Sequence, residues 1–193
     1  NYKADLVIAA DGVSSGIRDS LGLLKRRRRH TSGAIRVNVD RKPEEVDHAK
    51  WGRIIDFWNG IRRVVFTPCS EDVLYIGFCG LAADEEGFRI PVNKKAWSES
   101  FPDLAEFFER IPESGPDAGR WDRFETLWLH RWSKGRCAII GDAAHAMLPG
   151  LGQGCGTALQ NALSLATCLD EHKTMEEAFA AWEQRERSVT EHS

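Results

Sequence analysis

The feature that most restricts this chain is a glycine-rich loop set between two opposite residue patterns. After Arg136, the run Cys137-Ala138-Ile139-Ile140-Gly141 is continuously apolar, the pattern of a parallel strand covered on both faces. Farther on, Ala158, Leu159, Ala162, Leu163, Ala166 and Leu169 recur on one side of a helix. Between them lies Gly141-Asp142-Ala143-Ala144-His145-Ala146-Met147-Leu148-Pro149-Gly150-Leu151-Gly152-Gln153-Gly154. Strand, loop and helix in that order predict an α/β fold with a ligand at the carboxyl end of the strand. Asp142 would accept hydrogen bonds from ligand hydroxyls there, Pro149 stiffens the chain, and the glycines let backbone N–H groups approach a ligand at the positive helix end. On spacing alone, an ordinary strand-to-helix turn is the plainer alternative.

A second apolar run, Leu6-Val7-Ile8-Ala9-Ala10, also reads as a covered parallel strand, followed by Asp11-Gly12 and a short helix at Ile17–Leu21 stopped by Gly22. The chain starts at Asn1 and runs directly into this strand, so it reads as a portion of a longer protein. Lys25 to His30 has no apolar residue and reads as a solvated connector. From Gly33 the period moves towards two, with strands expected at 34–39, 54–58, 63–67 and 73–78 and a turn at Asn59-Gly60, which predicts an antiparallel sheet. Leu104, Phe107, Phe108 and Ile111 have helical spacing, with Pro102 suited to a first turn. Phe124–Leu129 is a returning strand, and Thr174 with Glu177 forms a capping box ahead of a helix that buries Met175, Ala178, Phe179 and Trp182. No internal repeat is visible.

Composition narrows the function classes. A net charge of -3 gives no general attraction to nucleic acid or anionic membranes, and no apolar run reaches the length of a membrane span. The basic run Lys25–His30 is therefore read as solvated rather than as a nucleic-acid patch, and the seven tryptophans as packing residues rather than a base-stacking platform. Cys69, Cys79, Cys137, Cys155 and Cys168 are odd in number and lack a C-x-x-C pair, which argues against a disulfide framework or a zinc site and for a reducing cytoplasm. The expected partners are small molecules, with no nucleic acid, membrane or metal.

The Gly141–Gly154 run resembles the G-D-A-A-H-x-x-x-P-x-x-G-Q-G segment of FAD-dependent aromatic-ring hydroxylases. Ala10-Asp11-Gly12-Val13-Ser14-Ser15-Gly16-Ile17-Arg18 is similar to that family's G-A-D-G-x-x-S-x-x-R fingerprint, with Ala9 in place of the first Gly. The two occur in the family's order and at about its separation. The resemblance implies part of a Rossmann-like FAD-binding domain (1–30 and 131–193) with an inserted antiparallel-sheet substrate domain (31–130). It further implies an NAD(P)H- and FAD-dependent monooxygenase that passes one atom of molecular oxygen to an aromatic ring. Carried over by position, Asp142 holds the flavin ribityl hydroxyls, Pro149 sits beside the isoalloxazine, and Gly152, Gln153 and Gly154 present N–H groups to its pyrimidine side. Gly141 and Ala143 belong to the same contact, and Asp11, Gly12 and Arg18 take supporting roles. Where the family often has Asn, this chain has Gly156. The family's N-terminal G-x-G-x-x-G is absent, because the glycines at 150, 152, 154 and 156 have another spacing.

The middle of the chain is most similar to the branch acting on hydroxylated pyridines and related heteroaromatic acids, through Ile55–Trp58, Thr67-Pro68-Cys69 and Leu74–Gly77. Arg36 and Arg63 sit in apolar strands, where a cation needs an anion or water, so they and Tyr75 are expected to meet a substrate carboxylate or ionised hydroxyl. The plainer reading of each arginine is an edge-strand head reaching solvent. Arg63 and Tyr75 can share a face only if the loop of their hairpin, whose turn includes Cys69 to Asp72, has an odd number of residues, and that is the expectation; a four-residue loop would put them on opposite faces. No catalytic acid or base is assigned, and His145 is read as structural. The alternatives left open are a non-hydroxylating flavoprotein such as a reductase or halogenase, an inactive truncated chain, and a binding module acting through the basic run.

Overall fold

The structure is a computed structural model that describes residues 3–191. The chain divides into two compact units, 1–29 with 125–193 and 30–124, so the return into the first unit comes a few residues earlier than the expected 130/131. In the first unit, β1 (Val7–Ala9) pairs in parallel with β8 (Cys137–Ile139), and β7 (Ser133–Lys134) flanks β8 on its other side. Ala9, Ala138 and Ile139 point into a core completed by Trp132, Leu165, Phe179 and Trp182. That core is built by two helices, α6 (Gly154–Glu171) and α7 (Met175–Thr190), the latter capped by Thr174 and Glu177 as the sequence predicts.

Two expectations fail here. β1 is not covered along its length on both faces: Val7 and Ile8, which point to opposite sides of the strand, are 45% and 49% exposed. In α6 the buried stripe is Asn161, Ser164, Leu165 and Cys168, while Leu159 and Leu163 stand 68% and 71% exposed. Trp182 decides this, because its indole N–H donates to the Asn161 carbonyl at 2.9 Å and so fixes which side of α6 faces α7.

The second unit is a sheet of strand order β3-β4-β5-β2-β6, comprising β2 (Leu24–Asp40), β3 (Ile55–Asn59), β4 (Arg62–Pro68), β5 (Val73–Leu81) and β6 (Arg120–Leu129). The pairs β3–β4, β4–β5 and β5–β2 are antiparallel. One face is apolar: Ile35, Val37, Val39, Val64, Phe66, Leu74, Ile76 and Phe78 pack beneath α3 (Lys94–Ser100) and α4 (Ala105–Glu109), where Trp97 and Phe108 are fully buried. Pro102 opens a 3-10 turn between these two helices, and two shorter helices, α1 (Gly16–Ser20) and α2 (Pro43–Val46), follow β1 and β2. The unit boundaries fall inside β2 and β6, and Lys25–His30 is therefore strand, not connector. Backbone pairing beside β6 sets its conformation, and the cations find local partners: Arg27 and Arg29 meet Glu125, and Arg26 lies over Trp128 at 5.1 Å. With cations at consecutive positions, alternation of apolar and polar residues could not reveal the strand.

Candidate functional site

In the first unit, the glycine-rich loop leaves β8 through Gly141, whose φ of 58° turns the chain into the short helix α5 (Asp142–His145). The Gly141 carbonyl accepts from the N–H groups of Ala144 and His145, both at 2.9 Å. Ala143 and Ala144 are buried in this turn, which leaves Asp142 exposed at its edge. The chain then passes through a 3-10 turn at Pro149–Leu151 to Gly152, left-handed at φ 65°, and enters α6. Thr157 N–H closes the first turn on the Gln153 carbonyl at 2.9 Å, so the N–H groups of Gly154, Cys155 and Gly156 precede the first intrahelical bond. A Cβ at Gly150, Gly152 or Gly156 would meet nothing within 4 Å, so this backbone borders open space. An exposed carboxylate and the positive end of an 18-residue helix thus bracket a bare glycine surface.

The Asp11 turn stands behind this loop. Gly12 takes φ 78°, and Asp11 Oδ2 accepts from Ile17 N–H at 3.4 Å. The Ser15 hydroxyl beside it holds the Asp11 carboxyl below its usual range. Arg18 is fully buried. Its NH1 donates to the Val13 carbonyl at 3.0 Å and to the Ala143 carbonyl at 3.1 Å, while Nε meets Asp19 at 2.8 Å. Its guanidinium therefore ties the Asp11 turn to α5 from inside. His145 is also buried: its Nε2 lies 3.1 Å from Asn161 Nδ2, and its ring packs 5.3 Å from that of Trp132. Burial pushes its pKa below the usual histidine value, and the neutral ring accepts from the Asn161 amide.

In the second unit, the sheet face opposite the apolar core collects the other residues singled out in the sequence. The β4–β5 register pairs Arg63 with Cys79 and Thr67 with Tyr75 and closes at Pro68 with Leu74. Five residues, Cys69 to Val73, separate that last pair, an odd number, and Arg63 and Tyr75 do share a face. Arg36 joins them, since it pairs with Gly77, two residues from Tyr75. The arginines are not waiting for an anion, however. Arg63 makes a two-armed contact with Asp56, both bonds 2.9 Å, and Arg36 NH1 reaches Asp122 Oδ2 at 2.7 Å. Each arginine thus already has a counter-charge on a neighbouring strand. Asp56 holds the Arg63 pKa above its ordinary value, and burial raises those of Tyr75 and Cys79.

Asp56, Asp122 and Cys79 are not among the site residues expected from the sequence. A signal for Asp56 was present: the Asn59-Gly60 turn pairs Trp58 with Arg63, which puts Asp56 on the same face one step along. Asp122 carried none, because its approach to Arg36 crosses the whole unit in sequence. Among the described residues no cluster of His, Cys, Asp and Glu is suited to a metal ion, and no helix is long and apolar enough to cross a membrane.

Residues 1–189 match the model of a family described as FAD binding domain. A 2-heptyl-3-hydroxy-4(1H)-quinolone synthase of Mycobacteroides abscessus is 39% identical over 189 residues, covering 98% of this chain and 50% of that protein. A Rhodococcus erythropolis protein carrying the same name provisionally is 43% identical over 186 residues, covering 96% of this chain and 48% of that protein. Among solved structures, the tetrameric form of 2-methyl-3-hydroxypyridine-5-carboxylic acid oxygenase superposes with a TM-score of 0.87 at 40% identity, over 98% of this chain and 52% of that one. The chain thus spans about half the length of the relatives it matches.

Proposed function

This chain belongs to the FAD-binding domain family, and on that premise we propose that it forms part of an FAD- and NAD(P)H-dependent monooxygenase that hydroxylates a small nitrogen heteroaromatic ring. The observation that carries this reading is the Asp142–Gly156 loop, where one exposed carboxylate and the open end of a long helix border bare glycine backbone. This donor and acceptor set fits a flavin, whose ribityl chain offers hydroxyls and whose reduced ring is anionic on its pyrimidine side.

When bound, FAD supplies the redox chemistry, taking electrons from NAD(P)H and dividing dioxygen between the ring substrate and water. The chain's own residues bind and orient. Asp142 would accept from ribityl hydroxyls, Pro149 would flank the ring, and Gly152, Gln153 and Gly154 would offer N–H groups to its pyrimidine side, where the α6 dipole favours negative charge. Gly141 and Ala143 shape that turn, Asp11 and Gly12 form the turn behind it, and Arg18 acts by holding it in place. Arg36, Arg63 and Tyr75 are assigned to the substrate. Relatives named for a quinolone and for a hydroxypyridine carboxylic acid support a nitrogen heteroaromatic bearing a ring oxygen, with a 4-quinolone as the first compound to test. A cytoplasmic location agrees with the five free cysteines.

The test is to load the full-length protein with FAD and follow NAD(P)H oxidation and product mass with labelled dioxygen. One labelled oxygen in the ring product supports the reading. NAD(P)H oxidation with every heteroaromatic unchanged overturns it in favour of a reductase.

A further inference from the structure

On the sheet face that carries Arg36, Arg63 and Tyr75, the central position of β5 is empty of side chain. Gly77 lies between Arg36 on β2 and Val65 on β4. It has no positive φ that would require glycine. What a side chain would meet here is the Tyr75 ring. A Cβ built at Gly77 would stand 3.0 Å from the Tyr75 hydroxyl oxygen, 3.2 Å from Cε1 and 3.4 Å from Cζ. Side chains in a strand lean along its direction, and Tyr75 leans two residues forward to lie over the bare Gly77 backbone, which is buried although it faces outward.

We propose that Gly77 is a specificity-determining position: having no side chain, it seats the Tyr75 phenol beside Arg36, where the phenol O–H reads an acceptor oxygen on the substrate ring. This rests on the functional reading above and adds to it the residue that positions the reader and the atom that is read. The geometry sets the direction of the hydrogen bonds. Gly77 faces Arg36 across the strand pair, so a phenol laid over Gly77 arrives at the guanidinium, which can only donate. The register sets Arg36 directly across from Gly77, and burial raises the phenol pKa, so the O–H keeps its proton. An oxygen that accepts from Arg36 has its own proton left to give, and donation from a cation strengthens that second bond. The substrate atom opposite must then be an acceptor, a ring carbonyl or ring oxyanion. Asp122 completes the device, because its 2.7 Å bond to NH1 fixes the Arg36 guanidinium while leaving its other N–H groups free to turn to Tyr75.

The experiment uses the FAD-loaded, full-length protein and two probes, a 4-quinolone and the quinoline lacking its ring oxygen, with dissociation constants read from flavin fluorescence. Gly77→Ala should weaken the oxygen-bearing ring about tenfold, the size of one lost hydrogen bond, and leave the oxygen-free ring within about twofold. In a Tyr75→Phe background the same Gly77→Ala change should add less than about twofold, since the two changes remove one interaction. Equal weakening of both probes, or the full penalty in the Phe background, overturns the proposal. If Gly77→Ala does not yield folded protein, Tyr75→Phe alone decides: discrimination between the probes is lost if the phenol reads the oxygen, and its retention overturns the idea. A wild-type protein that binds FAD but neither probe, and turns over no heteroaromatic, overturns the functional reading itself, an outcome separate from any behaviour of the variants.

Discussion

The two units treat polar groups in opposite ways. In the first, Asp142 and the leading N–H groups of α6 face open space, while Arg18 lies wholly inside with its Nε and NH1 hydrogen-bonded. In the second, the cations on the outward sheet face are half-exposed yet already matched, Arg36 by Asp122 and Arg63 by Asp56. Unpaired donors and acceptors at a helix end gain from a ligand, whereas a compensated pair gains little from a further anion and would have to be disrupted to bind one tightly. The loop therefore has the character of a binding surface, and the sheet face that of a pre-arranged surface on which neutral polar contacts such as the Tyr75 hydroxyl choose the ligand.

The comparison can be broken most directly at Arg18. Arg18→Met removes the donor shared by the Val13 and Ala143 carbonyls, of which Val13 keeps Arg27, and we expect a stability loss of about 2 kcal/mol, read as a lowered Tm with flavin release. An unchanged Tm would remove the internal tie. Next in size is Asp142→Ala in the full-length protein, which should weaken FAD binding about ten- to hundredfold, the range for hydrogen bonds to a charged group. It should leave Tm without FAD nearly unaltered, because Asp142 is exposed; a large loss of apoprotein stability would make it structural instead.

A smaller effect should separate the units by pH. His145 titrates below its ordinary value because it is buried, so the unfolded chain binds its proton first. Stability from this site is complete above the ordinary histidine pKa of 6.5 and falls as the pH drops below it, until the buried ring itself takes up the proton. In the second unit, burial acts to raise the Glu45 pKa, but its bonds with Arg110 outweigh that and hold it below 4.5. That contribution is present above pH 4.5 and is lost only in stronger acid. Hydrogen exchange followed from neutral to acid pH should find the first unit loosening earlier, and His145→Gln should abolish the early phase. Loosening of both together near neutrality would contradict this. The smallest effect is expected for Asp56→Asn. Its pair with Arg63 is solvent-exposed, so stability should change by less than about 1 kcal/mol. Freeing the guanidinium should nonetheless improve binding of an anionic ring acid a few-fold over its neutral amide, and no change in that ratio would mean that the counter-charge does not set selectivity.

Much of this was readable from residues alone because it is local. The Gly141–Gly154 loop announced itself through a covalent pattern of glycines and proline between a strand and a helix, and the Thr174 cap follows from spacing along one segment. Where the sequence misled, the deciding partner lay far away. Lys25–His30 became strand because β6, nearly a hundred residues on, offered its backbone, and cations at consecutive positions hide any alternation. The buried side of α6 was chosen by Trp182 on α7 rather than by its own leucines. Arg36 found its counter-charge in Asp122, 86 residues away, and Arg18 its acceptor in Ala143, 125 residues away. Backbone geometry and periodicity are properties of a segment and can be read along it. Charge compensation, and the choice of which apolar stripe is covered, are properties of pairs that only the folded chain brings together.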